Sequence, residues 1–373
     1  MSRVCYGFFL ALTGALFLAG ASFGESTAFA QDKDKDKGNS EVARIVTVDG
    51  VKLNAVFYPK SSKSSSTVIM LHPIGQGNNI RLPGWKTLAT ELQKAGYSVL
   101  MFDFRGHGDS TTIEDDKAFF SYAPNRSFKL KEKETIDYKD YKVVADKYLP
   151  VLVNDIAAVK AFLDRKNDAG VCNTSNTIVI GADQGATLGA IWINSEWSRY
   201  KYTPPVNAFQ KMEYAKSPEG KDIIASVFLT AQPKLGTRSV TLSSTLRVAC
   251  KDQAMATLLF YGKDDTTARN LAKSLETNLK PSKAGKKYDF IGSTPLPTKL
   301  SGAQLLQDGL KTEDSIVEWL DAVTSVKERG NEWVERDSQG ALFMWRFPNP
   351  PVYAKKQKGE KNLEFNDYLK YVQ

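Results

Sequence analysis

Short apolar runs recur along the chain, with enough residues between them for one helix each. Thr67–Leu71, Ser98–Phe104, Thr177–Ile180, Ile223–Leu229, Thr257–Tyr261 and Tyr288–Ile291 are almost continuously apolar, which in a strand implies burial on both faces. The stretches Trp85–Ala95, Leu152–Arg165, Gly185–Ser195, Thr267–Leu279 and Glu313–Val323 read as the intervening helices. Strands that alternate with helices predict a mostly parallel sheet. Ahead of this alternation, Val42–Val48 and Val51–Tyr58 alternate apolar and polar residues around Asp49-Gly50, the signature of a two-residue hairpin. The expected fold class is α/β: a mostly parallel central sheet, an N-terminal antiparallel hairpin and helices on both faces.

Two stretches fall outside the pattern. Residues 111–150 separate a strand from the next helix and are several-fold longer than a usual βα loop. An insertion there belongs to the carboxyl edge of the sheet, where open α/β folds bind ligands, and so near a pocket mouth. The second stretch, residues 327–373, is a C-terminal extension in which Trp333, Phe343, Trp345 and Phe347 precede Pro348-Asn349-Pro350-Pro351. These aromatics are expected to pack on the main domain, residues 42–326; the alternative is an arm that binds a partner.

The N-terminus follows another logic. Arg3, the apolar run Phe8–Phe23 and Ala28-Phe29-Ala30 have the layout of a secretory signal peptide, residues 1–30, cleaved after Ala30. The apolar run is slightly short for a span of about 20 residues, which disfavours an uncleaved anchor. Export to the periplasm, cell envelope or medium is expected, with no integral membrane segment after cleavage. Residues 31–41 then form a charged leader, since QDKDKDKGNS offers nothing to bury.

Composition adds exclusions. The 42% hydrophobic and 25% charged residues are those of an ordinary globular protein. The net charge of +8 is dispersed, with lysines interleaved among carboxylates in Asp32–Lys37, Lys129–Glu134 and Lys355–Lys361. Mixed runs of this kind read as solvated surface and not as a nucleic-acid footprint. Cys5 lies in the signal; Cys172 and Cys250 either pair in an oxidising compartment or remain buried thiols. No cofactor or metal is expected.

Three turns carry the candidate chemistry. His72-Pro73-Ile74-Gly75-Gln76-Gly77, Arg105-Gly106-His107-Gly108-Asp109-Ser110 and Gly181-Ala182-Asp183-Gln184-Gly185 each follow an expected strand. In the last, glycines flank a sharp strand-to-helix turn that pushes Asp183 out of the sheet at a helix N-terminus. Asp tolerates left-handed backbone better than most residues, so the turn itself is one reason to hold it there. The helix N-terminus would favour its charged form.

In order and spacing, over roughly Val42–Val323, these motifs resemble the α/β-hydrolase superfamily, in particular its serine-hydrolase branch of esterases, monoacylglycerol lipases and aminopeptidases. The resemblance implies a serine where this chain has Asp183 (elbow position), backbone N–H groups of Ile74 and Gln184 at an oxyanion site, and an acid at Asp265 or Asp264. It also implies a histidine where Ser301 stands, with Leu300 as the other candidate position. Neither Ser301 nor Leu300 is a base near neutral pH. Asp265 has a plainer reading as a helix cap.

The chain contains only His72 and His107. Both belong to motifs that relatives carry besides the catalytic histidine, so structural roles are expected, with His72 the alternative base. Loss of two triad members costs several orders of magnitude in rate. The expected function is therefore an exported, catalytically impaired hydrolase-fold protein that binds a small molecule or protein partner. The alternative is a hydrolase with Asp183 as nucleophile, as in the resembled haloalkane dehalogenases and epoxide hydrolases, or a weak esterase. If Asp183 and Asp265 face each other without an imidazole, one pKa rises or a cation such as Lys299 or a cationic ligand enters.

Overall fold

A computed structural model describes residues 39–60, 65–122, 124–128, 134–143, 148–203, 213–281, 290–326 and 332–336, within the unit Gly38–Gln373. Strand β1 (Glu41–Val46) pairs antiparallel with β2 (Val51–Tyr58), and since Val46 faces Lys52 and Thr47 N–H bonds Val51 O, the connection is Val48-Asp49-Gly50, one residue longer than the expected two-residue turn. There Gly50 takes φ 80 and the Thr47 hydroxyl donates to Asp49. Then come β3 (Ser66–Leu71), β4 (Ser98–Phe102), the short β5 (Thr112–Ile113) and β6 (Asn173–Ala182). A separate small pair, β7 (Tyr200–Thr203) with β8 (Glu213–Pro218), precedes β9 (Ile223–Leu229). A second pair, β10 (Lys234–Leu235) with β11 (Arg238–Ser239), precedes β12 (Ala256–Gly262) and β13 (Ile291–Leu296).

The main sheet runs β1-β2-β4-β3-β6-β9-β12-β13, with β5 also paired to β2. Every pairing from β4 to β13 is parallel, and β2 joins β4 antiparallel. Side chains alternate across a strand, so one buried strand feeds two cores. Val68 and Met70 of β3 join the cluster holding Leu88, Ala89 and Leu92 of α1 (Trp85–Lys94). Ile69 and Leu71 join the opposite cluster. On that face lie α3 (Val153–Asp168), α4 (Gln184–Ser198) and α5 (Thr266–Leu279), placed after the short α2 (Asp116–Ser121) of the insertion. The last helix, α6 (Thr312–Thr324), packs Ile316, Leu320 and Val323 beside α1. The α/β architecture with helices on both faces is as the apolar runs indicate.

The last strand differs from the expectation. Tyr288 and Asp289 of the expected strand lie outside the described residues; among those described, the strand starts at Ile291 and continues through Gly292-Ser293-Thr294-Pro295. Among the described residues β13 is the edge of the sheet and bonds to β12 alone. An edge position tolerates proline and partial exposure, so its polar residues read as a turn.

Inside the insertion, β5 pairs Ile113 with Val51, and Asp115 caps α2 by accepting from the Ala118 N–H at 2.9 Å. The segment closes on the hairpin turn through Glu114 N–H to Gly50 O (2.8 Å) and on the loop after β4 through Tyr138 N–H to Gly106 O (2.8 Å). Beneath it sits a buried ion cluster. The Arg105 guanidinium donates to Asp49 at 2.5 and 2.9 Å, to Asp155 at 2.7 Å and to the Tyr148 hydroxyl at 3.1 Å. Asn125 joins Asp49 (2.8 Å) and accepts from Tyr148 (2.7 Å), while the Tyr141 hydroxyl donates to Arg105 O. Burial alone would raise the Asp49 pKa, but the Arg105 charge and these hydrogen bonds outweigh it and hold Asp49 below the ordinary carboxylate value.

Cys172 and Cys250 are both free and buried, the thiol alternative of the two. Of the C-terminal aromatics, Trp333 packs on the main domain through its indole N–H to Asn167 O at 3.0 Å. Phe343, Trp345 and Phe347 lie outside the described residues, as does the signal-like segment 1–30. Among the described residues, no helix is long and apolar enough to cross a membrane.

Candidate active site

The elbow forms as its glycines require. Gly185 brings the first turn of α4 against β3; a Cβ there would lie 2.3 Å from His72 O. At the apex Asp183 has φ 50 and ψ −124. This is not the left-handed helical region that suits Asp, where ψ lies near +45°, so the expectation that the turn favours Asp for its backbone is corrected. The strain is that of any non-glycine residue held in a sparsely populated region, on the order of 1–3 kcal/mol.

The Asp183 carboxyl makes no capping bond to the helix it precedes. Among the described residues it takes one hydrogen bond, from the Gln232 side-chain amide at 3.3 Å. Its other oxygen abuts Gly302, at φ +57, where a Cβ would stand 1.7 Å from Oδ2. Burial raises the Asp183 pKa to about 6, and the Gln232 bond only partly opposes this. The sequence expectation of a helix-favoured charged form is thus overturned: the backbone aims the side chain away from the first-turn N–H groups, and loss of water dominates.

Asp183→Asn provides a direct check. An acid whose pKa is raised on folding destabilises the fold as pH rises through the interval from its unfolded value to about 6. The asparagine variant is expected to be more stable than wild type above pH 6, by about 1–2 kcal/mol after allowance for solvent screening. The gain should vanish below about pH 4. Urea unfolding at pH 7.5 and 4 measures both.

The segments around the elbow come from the ends of four strands. After β9, the Thr187 hydroxyl of α4 donates to Gln232 O, and Gly236 N–H donates to the Gln184 side-chain oxygen at 3.0 Å. After β13, Ser301 is half-buried and begins the turn Gly302–Leu306, so the loop expected to carry the missing histidine does reach Asp183. At the end of β12, Gly262 lies under that same loop, with Leu300 O and Thr298 O 2.5 and 2.7 Å from where its Cβ would stand. Ile74, in the loop after β3, is 6% exposed.

Asp265 is engaged as a helix cap. Its Oδ1 accepts from Ala268 N–H at 2.9 Å as the N-cap of α5, while Asp264 N–H bonds Thr298 O. The helix-cap reading of Asp265 holds. Lys299 forms no ion pair with Asp183 among the described residues.

Both imidazoles are committed to backbone. His72 is fully buried; its Nδ1–H donates to Pro73 O at 2.7 Å, and Nε2 accepts from Phe104 N–H at 3.1 Å. In His107, Nδ1 faces Arg105 O at 3.0 Å, and Nε2 accepts from Gly75 N–H at 3.2 Å. Burial first, and the neighbouring His107 second, hold His72 at about 3; burial also lowers His107. Each ring is a neutral strut that ties the His72–Gly77 loop to the Arg105–Ser110 loop.

Gln232, Thr187 and Gly302 were not singled out in the sequence. Gln232 lies just past a strand at the carboxyl edge, but nothing in its local pattern marks it. Among the described residues, no group of three or more His, Cys, Asp or Glu is placed to hold a metal ion.

The sequence matches no protein-family model and no curated protein. Solved structures are similar. An esterase of Pyrococcus furiosus aligns over 80% of this chain and 96% of its own, at 15% identity and a TM-score of 0.50. Less similar are Est1E from Butyrivibrio proteoclasticus (76% and 99% covered, 12% identity, TM-score 0.46) and a dienelactone hydrolase from Anabaena variabilis (76% and 95%, 15%, 0.45). With an elbow between β6 and α4 and a parallel sheet led by an antiparallel hairpin, this chain has the α/β-hydrolase fold.

Proposed function

We propose that this protein uses the hydrolase fold to bind a ligand at Asp183 and does not turn it over. The supporting observation is that all four imidazole nitrogens of the chain face backbone partners, two of them N–H donors. A base must be able to take a proton near the working pH, and His72, held near 3, cannot. A carboxylate nucleophile without such a base would stop at its ester.

The ligand class follows from a comparison within the molecule. The buried carboxylates Asp49 and Asp155 are met by Arg105, Glu196 by Arg199 and Asp222 by Arg336. Buried Asp103 accepts from Asn54, Ile80 N–H and Asp109 N–H. Asp183, in contrast, has the Gln232 amide alone among its described partners. A small molecule carrying an ammonium or guanidinium group supplies what is missing. Export outside the cytoplasm belongs to the same reading and rests on the sequence of residues 1–30.

The test uses the full chain with fluorophosphonate probes, p-nitrophenyl esters and epoxides, and separately with benzylammonium, benzyl alcohol and benzoate in thermal-shift titrations. Expected are no serine labelling, no multiple turnover, and stabilisation by benzylammonium alone that Asp183→Asn removes. Serine labelling or turnover would refute the non-hydrolytic reading. Equal stabilisation by benzoate would refute the cationic ligand.

A further inference from the structure

At the start of β6, far from the elbow, the chain's own C-terminal extension is held in a notch. Ser175 lies eight residues before Asp183 along this strand, about 25 Å at the rise of extended chain. Residues 332–336 cross there. Trp333 donates its indole N–H to Asn167 O (3.0 Å), and Asn167 Nδ2 donates to Val334 O (2.9 Å). Arg336 N–H donates to the Asp168 carboxylate at 2.7 Å, and the Arg336 guanidinium meets Asp222 and the Ser175 hydroxyl.

Three features set this apart from ordinary surface packing. Only Trp333 and Arg336 turn inward: Val334 is 53% exposed and Glu335 is exposed. Main-chain bonds through Val334 O and Arg336 N, with specificity in the two inward side chains, are how peptides are read by a receptor surface. The receptor side is also pre-set. The Asn167 amide is oriented by Thr174 N–H, which donates to Asn167 Oδ1 at 3.0 Å. Finally, Asp222 needs its guest: burial raises its pKa, and Lys160 and Arg336 are the cations that oppose this. Without Arg336, one of the two is lost.

We infer that the notch formed by Asn167, Asp168, Ser175 and Asp222 is a recognition site for a Trp-x-x-Arg peptide, with residues 333–336 of this chain as its occupant. The site is independent of events at Asp183. It fixes where the extension leaves the domain, and it accepts the same segment supplied in trans once its own has been released.

The experiment uses the full chain and a fluorescent peptide of residues 331–337. In Trp333→Ala/Arg336→Ala, which removes both inward side chains of the chain's own segment, the peptide is expected to bind at least about tenfold tighter than to wild type, a difference of about 1.4 kcal/mol. Binding should disappear when the peptide carries Arg336→Ala or when Asp222→Asn is added to the chain. Circular dichroism and melting confirm that each chain is folded. Equal peptide binding by wild type and variant, or none by a folded variant, would overturn the inference. A wild-type dimer dissolved by Trp333→Ala/Arg336→Ala would put a second copy's segment in the notch and overturn the assignment of its occupant.

Discussion

Replacing Arg105 with methionine is expected to destabilise the fold by about 3–5 kcal/mol, because it leaves charges buried without a partner. Asp49 and Asp155 are at most 1% exposed in their side chains, and their donors are chiefly the nitrogens of this one guanidinium. The loss would lower the melting temperature by on the order of 10 °C. Arg105→Lys keeps the charge but not the fork that reaches both carboxylates, so it should recover only part. Adding Asp49→Asn to Arg105→Met should restore some stability by removing one uncompensated charge. Because Asp49 is depressed below its ordinary value, its contribution is complete above about pH 4 and is lost only as pH falls through its folded pKa. A loss below about 1 kcal/mol in urea unfolding at neutral pH would mean that water reaches the cluster.

Acid should weaken the protein through His72 in a higher pH range. Its folded pKa of about 3 lies under the unfolded value, so the unfolded chain binds the proton first. The contribution is complete above about pH 6.5 and falls by up to about 1.4 kcal/mol per unit below it, near 2.7 kcal/mol by pH 4.5. His107 acts in the same direction, and Asp183 in the opposite one. The comparison is therefore with His72→Gln, which should lose stability at pH 7.5 by leaving the Phe104 N–H short of its acceptor, yet show a shallower slope from pH 6.5 to 4.5. Parallel slopes would show that His72 takes up a proton in the folded state. That result would also reopen it as a base, so this stability measurement bears on the function.

Much of the fold was legible along the chain. Five of the six apolar runs lie within or largely overlap strands of the sheet, and Asp49-Gly50 lies in the hairpin connection, which is one residue longer than expected. Buried strands need continuous apolar sequence, and this constraint is local. The edge strand β13 escaped because one-sided pairing leaves little demand on composition. The pairs β7–β8 and β10–β11 were likewise not anticipated, being short and outside the main sheet.

The candidate site was legible only in part. Glycine spacing and strand order along the chain placed Asp183 at the apex of an elbow, whereas Ser301 was reached only through the family resemblance, which implies a histidine at its position. Only the tertiary structure decided what those residues do. The helix-cap reading of Asp265 and structural roles for both histidines were already offered by the sequence; the structure supplied their partners, and it alone put Gln232 and Gly302 against the carboxylate. A pKa and a hydrogen-bond partner depend on atoms that are near in space and far in sequence, which no local pattern records.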